Sequence, residues 1–230
     1  MLTLIFIAMT EFIDCPTPDA LERAQIEVKL RAEPEGGLVG YIDVGILDNF
    51  LIGVSYGGEK IIGYGKPRFY PRIGTQIKYK LWEKPKIAIG LDIQGHEEWA
   101  THSANGIEYE GYFIKSKGAY LVAGSDFKEI ITWGAGANYN LTETKKGQNP
   151  FDIFGGVSLK VTEEFSLLAE YYLGLNQPQM EFPGYLSFGI RFKYEDISIE
   201  LLFRDLFSCT KKYTEKTTNR TIKIVYRTYL

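Results

Sequence analysis

Ala24-Gln25-Ile26-Glu27-Val28-Lys29-Leu30-Arg31-Ala32 is the stretch on which the fold turns. Ile26, Val28, Leu30 and Ala32 alternate with Gln25, Glu27, Lys29 and Arg31. One face is wholly apolar and the other is polar or charged. A 3.6-residue period cannot sort these residues, whereas the two-residue period of a strand sorts all of them.

Outward from this stretch the alternation returns along the whole chain. Leu38, Ile42, Val44 and Ile46 oppose Asp43, and Phe50, Ile52, Val54 and Tyr56 are backed by Gly53 and Ser55. Ile73 to Leu81 carries Gln76, Lys78 and Lys80 on its second face, and Ile87 to Ile93 carries Ala88, Gly90 and Asp92. Tyr112 to Ala123 reads as one strand with Lys115 and Lys117 on one face. Ile131 to Tyr139, Phe151 to Leu159, Phe165 to Leu173, Leu186 to Phe192, Ile197 to Phe203 and Ile222 to Tyr226 complete the series. That makes about twelve strands, each near the length a tilted membrane-crossing strand needs.

The connections carry a second signal. After a first tight hairpin at Glu33 to Gly36, long and short links alternate strictly. Leu47 to Asn49, Trp82 to Pro85, Ser125 to Lys128, Val161 to Glu163 and Tyr194 to Glu195 are short; Gly57 to Arg72, Gly95 to Gly111, Thr142 to Pro150, Gly174 to Pro183 and Asp205 to Asn219 are long. Short turns at one end and long loops at the other are the habit of outer-membrane barrels. The expectation is an all-β fold, a closed, antiparallel, up-and-down transmembrane β-barrel of about 12 strands. It forms one domain over residues 15–230, with both termini at the short-turn, periplasmic end. A soluble, lipocalin-like barrel would also alternate, with its apolar face turned inward. The small Gly, Ser, Asn and Ala residues on the polar face favour a crowded lumen instead. Tyr56, Trp82, Tyr112, Tyr139 and Tyr226, near strand ends, resemble interfacial girdles.

Composition agrees. The 230 residues include 16 Tyr, 14 Phe and 24 Gly but 2 Cys and 2 His, which favours strands and turns over helices. A net charge of −3 offers no polycation for nucleic acid. Leu2 to Met9 is a short apolar block without a positive start. Residues 1–14 therefore read as a truncated signal segment or as an apolar N-terminal strand. Asp14 before Cys15 does not fit a lipoprotein signal, and the expected topology sets Cys15 and Cys209 at opposite barrel ends, against a disulfide.

On the expected lumen face, Lys29, Arg31, Lys78, Lys80, Asp92, Lys115, Lys117, Glu170, Arg191, Glu200, Arg204 and Lys223 are the candidate lumen-lining residues. Glu27, Asp43, Asp152, Lys160 and Arg227 share that face. Basic residues outnumber acidic ones there although the chain is acidic. Either the lumen favours an anionic solute, or the charges pair and cross-link the wall. His96-Glu97-Glu98 with His102 reads as a solvated loop rather than a metal site. No nucleophile elbow is present. No enzyme activity, cofactor or metal is expected, and the expected partner is outer-membrane lipid.

Several segments together resemble a family of bacterial outer-membrane β-barrels distantly similar to the YjbH exopolysaccharide-associated barrels. They are Ile13-Asp14-Cys15-Pro16-Thr17, Ser55-Tyr56-Gly57-Gly58, Ile61-Ile62-Gly63-Tyr64-Gly65-Lys66-Pro67, Gln76-Ile77-Lys78-Tyr79-Lys80-Leu81 and Ala88-Ile89-Gly90-Leu91-Asp92-Ile93-Gln94-Gly95. The resemblance implies an outer-membrane barrel linked to polysaccharide export or surface assembly, and the first functional expectation is a narrow channel or secretion-associated pore. A plugged structural or surface-interaction barrel is the alternative. Two departures stand out: YjbH proteins are much longer, and here Leu230 follows the aromatic Tyr229.

Overall fold

The computed structural model describes residues 9–104, 107–145, 148–177, 184–206 and 220–230. Its strands are β1 (Gln25–Glu33), β2 (Gly37–Leu47), β3 (Phe50–Glu59), β4 (Arg68–Phe69), β5 (Gly74–Glu83), β6 (Lys86–Asp92), β7 (His96–Ala104) and β8 (Ile107–Ile114). They continue with β9 (Gly118–Phe127), β10 (Ile131–Tyr139), β11 (Phe151–Lys160), β12 (Phe165–Tyr172), β13 (Tyr185–Tyr194), β14 (Ile197–Phe203) and β15 (Arg220–Tyr229).

Among the described residues, twelve of these close into one antiparallel barrel; β4 is a two-residue addition to β3, and β7 and β8 form a separate hairpin. Each barrel strand pairs with its neighbours, and β1 closes the ring by pairing with β15 from Gln25↔Tyr229 to Ala32↔Ile222. Closure leaves no unpaired barrel edge.

Register sorts the two faces. Leu30, Ile224, Ile199 and Phe192 lie in one row across four strands. All four are exposed, at 43–49%. The row beside it is Arg31, Lys223, Glu200 and Arg191. The first three of those are at most 2% exposed. Apolar side chains therefore cover the outside and charged ones line the inside. The lipocalin-like alternative is overturned, because a small soluble barrel buries its apolar face. Tyr56, Tyr139, Trp82 and Tyr226 stand outward near the two rims, at 43–59% exposure.

Three expectations need correction. Tyr112 to Ala123 is not one strand: Tyr112 ends in the β7–β8 hairpin, fully buried, and the barrel strand begins at Gly118. The cause is local. Gly118 sits at φ +71°, a left-handed conformation that breaks the extended run, and only glycine fits because a Cβ would collide with the Tyr139 carbonyl oxygen. Lys115 and Lys117 therefore belong to the link between β8 and β9 and not to the barrel wall. Lastly, His96 and His102 are not in a solvated loop. They lie in β7 and are buried. Cys15 is a free, buried thiol, whereas Cys209 lies outside the described residues.

Candidate functional site: a hairpin inside the barrel

The lumen is occupied by a segment that precedes β1, residues 9–20. Residues 10–17 double back, with Glu11 bridging Pro16. Phe12 N–H donates to the Cys15 carbonyl at 2.9 Å, and Thr17 N–H donates to that of Thr10 at 3.1 Å. The segment rises from the short-turn end, reverses at residues 12–15 and returns to β1. Phe12, Ile13, Cys15 and Thr17 are all fully buried.

Apolar contacts seat the tip. Phe12 packs with Ala88, Tyr120, Val122 and Phe154 on one wall, and Ile13 with Leu168 and Leu202 on another. The wall is hollowed for the ring. Gly134 and Gly156 face each other across β10 and β11. A Cβ on Gly156 would lie 2.5 Å from Phe12 Cδ2, and one on Gly134 3.3 Å from Phe12 Cε2. Some of the small residues on the polar face are thus the socket for this hairpin.

Polar contacts do the rest. The N–H groups of Ile13, Asp14 and Cys15 all donate to Glu170 Oε2, at 3.1, 2.9 and 2.6 Å. Such a run of amides around one carboxylate oxygen is an anion nest. Lys78 Nζ donates to the carbonyls of Thr10, Thr17 and Asp19 at 2.5, 3.1 and 3.1 Å. Glu11 pairs with Lys223 at 2.9 Å and Lys29 at 3.5 Å. Asp14 sits between Arg31 at 2.6 Å and Arg204 at 2.7 Å.

The wall charges are paired among themselves as well. Lys29 meets Asp43 at 2.9 Å, Lys223 meets Glu200 at 2.9 Å, and Arg191 meets Glu200 at 2.7 Å. Arg227 pairs with Glu27. Lys80 lies toward the short-turn rim with Glu83 at 2.6 Å. Asp92 accepts from Gln76 Nε2 at 3.2 Å and Gln94 N–H at 3.0 Å. Lys117 Nζ lies over the Tyr172 ring at 4.2 Å and Lys115 Nζ over Tyr109 at 4.4 Å. The residues that strand reading missed are Glu11, Asp14, Glu33 and Glu97. Their signal was the surplus of lumen cations itself, since buried cations demand acids from elsewhere in the chain.

The long-loop end is covered by the β7–β8 hairpin. Trp99 and Tyr112 pack against Val39, Tyr41 and Tyr70. Glu33 accepts from Glu97 N–H at 2.9 Å and contacts His96 Nδ1 at 3.2 Å, while Arg204 reaches Glu97 at 3.4 Å. At the short-turn end a cavity of about 1020 Å³ remains, lined by turn residues such as Asp48, Pro85, Glu129 and Asp196 and floored by Met9 to Glu11 and Asp19.

The chain matches no protein-family model and no curated protein sequence. Among solved structures it is similar to a KdgM porin at a TM-score of 0.49 and 8% identity, covering 88% of this chain and 98% of that one. A likeness so slight carries no functional argument; the barrel rests on its own pairing and faces.

Proposed function

We propose that this chain is an outer-membrane barrel working as a channel that its N-terminal hairpin holds shut. The supporting observation is the seating of residues 10–17. The hairpin is tied to the wall only by non-covalent contacts, and it enters from the end where the lumen opens into a cavity. It can leave without any barrel strand unpairing. The apolar outer wall supports lipid as the surrounding medium. Polysaccharide export or surface assembly, implied by the sequence resemblance, would require the hairpin to withdraw first, because the seated hairpin crosses the lumen between Lys78 on one wall and Glu170 on another. No residue is assigned a catalytic role in this reading.

Planar-bilayer conductance of detergent-refolded protein tests it. The intact chain should be silent nearly all the time. Phe12→Ala removes a buried ring worth about 3 kcal/mol or more, which raises the unseated fraction about a hundredfold. Discrete openings should therefore appear in Phe12→Ala. If that variant gives the heat-modifiable band of a folded barrel yet stays silent, the hairpin is a permanent plug and the protein is a structural or surface-interaction barrel. Folding without detergent would refute the membrane assignment altogether.

A further inference from the structure

We propose that Arg31 and Arg204 form a binding site for the carboxylate of a solute, and that Asp14 occupies it as a tethered internal ligand while the hairpin is seated. The inference rests on the channel reading above and gives that channel a ligand class.

The geometry is that of a ligand site more than of an anchor. The hairpin already has apolar anchors in Phe12 and Ile13, and amide anchors in Glu170 and Lys78. Its one carboxylate at the tip is held from two sides, Oδ1 by Arg31 Nη1 at 2.6 Å and Oδ2 by Arg204 Nε at 2.7 Å. His96 Nε2 stands 3.9 Å from Oδ1. Both arginines are 2% exposed. Each is steadied by a second acid: Glu33 lies 3.3 Å from Arg31 Nε, and Glu97 lies 3.4 Å from Arg204 Nη1.

Two further observations point beyond Asp14. Asp14 is held by charge: its two carboxylate oxygens, and Nε and Nη2 of both arginines, are buried without a hydrogen-bond partner among the described residues. The pair thus offers more donors than one aspartate uses, and a guanidinium fork suits a carboxylate held by two parallel bonds. Moreover, withdrawal of the hairpin leaves two buried guanidinium groups facing each other without the charge between them. An anion entering from the cavity compensates them, and by doing so keeps Asp14 out. Solute and hairpin therefore compete for one site, and solute carboxylate favours the open channel by differential binding.

Isothermal titration of detergent-refolded protein with citrate tests the competition. Asp14→Asn should bind citrate at least about tenfold tighter than the intact chain, since it removes the tethered competitor. Asp14→Asn with Arg204→Gln should lose that binding. Where Asp14→Asn does not give a heat-modifiable barrel, Phe12→Ala serves instead, compared with Phe12→Ala plus Arg204→Gln; it frees the hairpin without touching either arginine. Equal citrate binding with and without Arg204 overturns the proposal, as does no binding by any folded variant. The two readings fail separately. A conducting Phe12→Ala with no citrate binding sinks the site and spares the channel; citrate binding by a silent Phe12→Ala does the reverse.

Discussion

At the scale of single residues, the hairpin is held by the fit of one ring into one glycine pair. Gly156 tolerates no Cβ while Phe12 is seated. Gly156→Val should leave the barrel closed, because a β-branched residue suits a strand, but should expel Phe12. Cys15 reports this. Its side chain is fully buried beside Glu170. Burial, and then the Glu170 charge, push its thiol well above the ordinary range. In a Cys209→Ser background, Cys15 should resist a maleimide. Gly156→Val should speed its labelling at least about tenfold, because labelling follows the population of the opened form. Unchanged labelling would mean that the glycine socket does not hold the hairpin.

At the scale of elements, the β7–β8 hairpin closes the long-loop end through a titrating contact. Burial holds the Glu97 carboxyl up at about 7. Arg204 opposes that rise, whereas Glu33 and Asp14 add to it and Arg31 opposes it. The docked state thus keeps a proton that the undocked state releases near 4.5, and docking weakens as pH climbs through that window. His96 on the same strand is shifted the other way, below 6.5, by burial and Arg31, so its contribution strengthens docking as pH rises and ends near that value. From about pH 6.5 to about pH 7.5 the Glu97 effect dominates; Lys115, which burial lowers to about 8, opposes it only above that. Amide protection factors in β7 and β8, which divide out the intrinsic base-catalysed rise of exchange with pH, should fall across that interval in the native protein and stay flat in Glu97→Gln. The link before β9 shows the limit of period-two reading at this scale. Lys115 and Lys117 keep a two-residue spacing within Tyr112 to Ala123, yet the positive φ of Gly118 divides that stretch, and the backbone path reveals it.

At the scale of the whole molecule, two opposite faces define the barrel. Ile224 lies mid-strand between Leu30 and Ile199, all turned outward. Ile224→Arg should cost about 2–4 kcal/mol of folding stability in lipid vesicles, the usual cost of a cation near the bilayer midplane. A barrel whose outer wall met water would show no such loss. The inner face explains why the lumen charges do not amount to a simple anion filter. Counted along strands alone they are mostly basic, but Glu11 and Asp14 from the hairpin and Glu97 from β7 supply acids that no wall strand carries.

The closed twelve-stranded barrel and the direction of its faces were legible in the chain itself. Strand alternation has a period of two, so which residues share a face follows from counting, and the order of short and long links sets which ends meet. Lys29, Arg31, Lys78, Glu170, Glu200 and Lys223 all lie buried in the lumen for that reason. What only the tertiary structure decided is what fills that lumen. Ile13-Asp14-Cys15-Pro16 has no period to read, and its place depends on contacts with residues more than 150 positions away, such as Glu170. Non-local packing of an irregular segment leaves no trace in local pattern. It is this packing that turns a row of candidate pore charges into the seat of a plug.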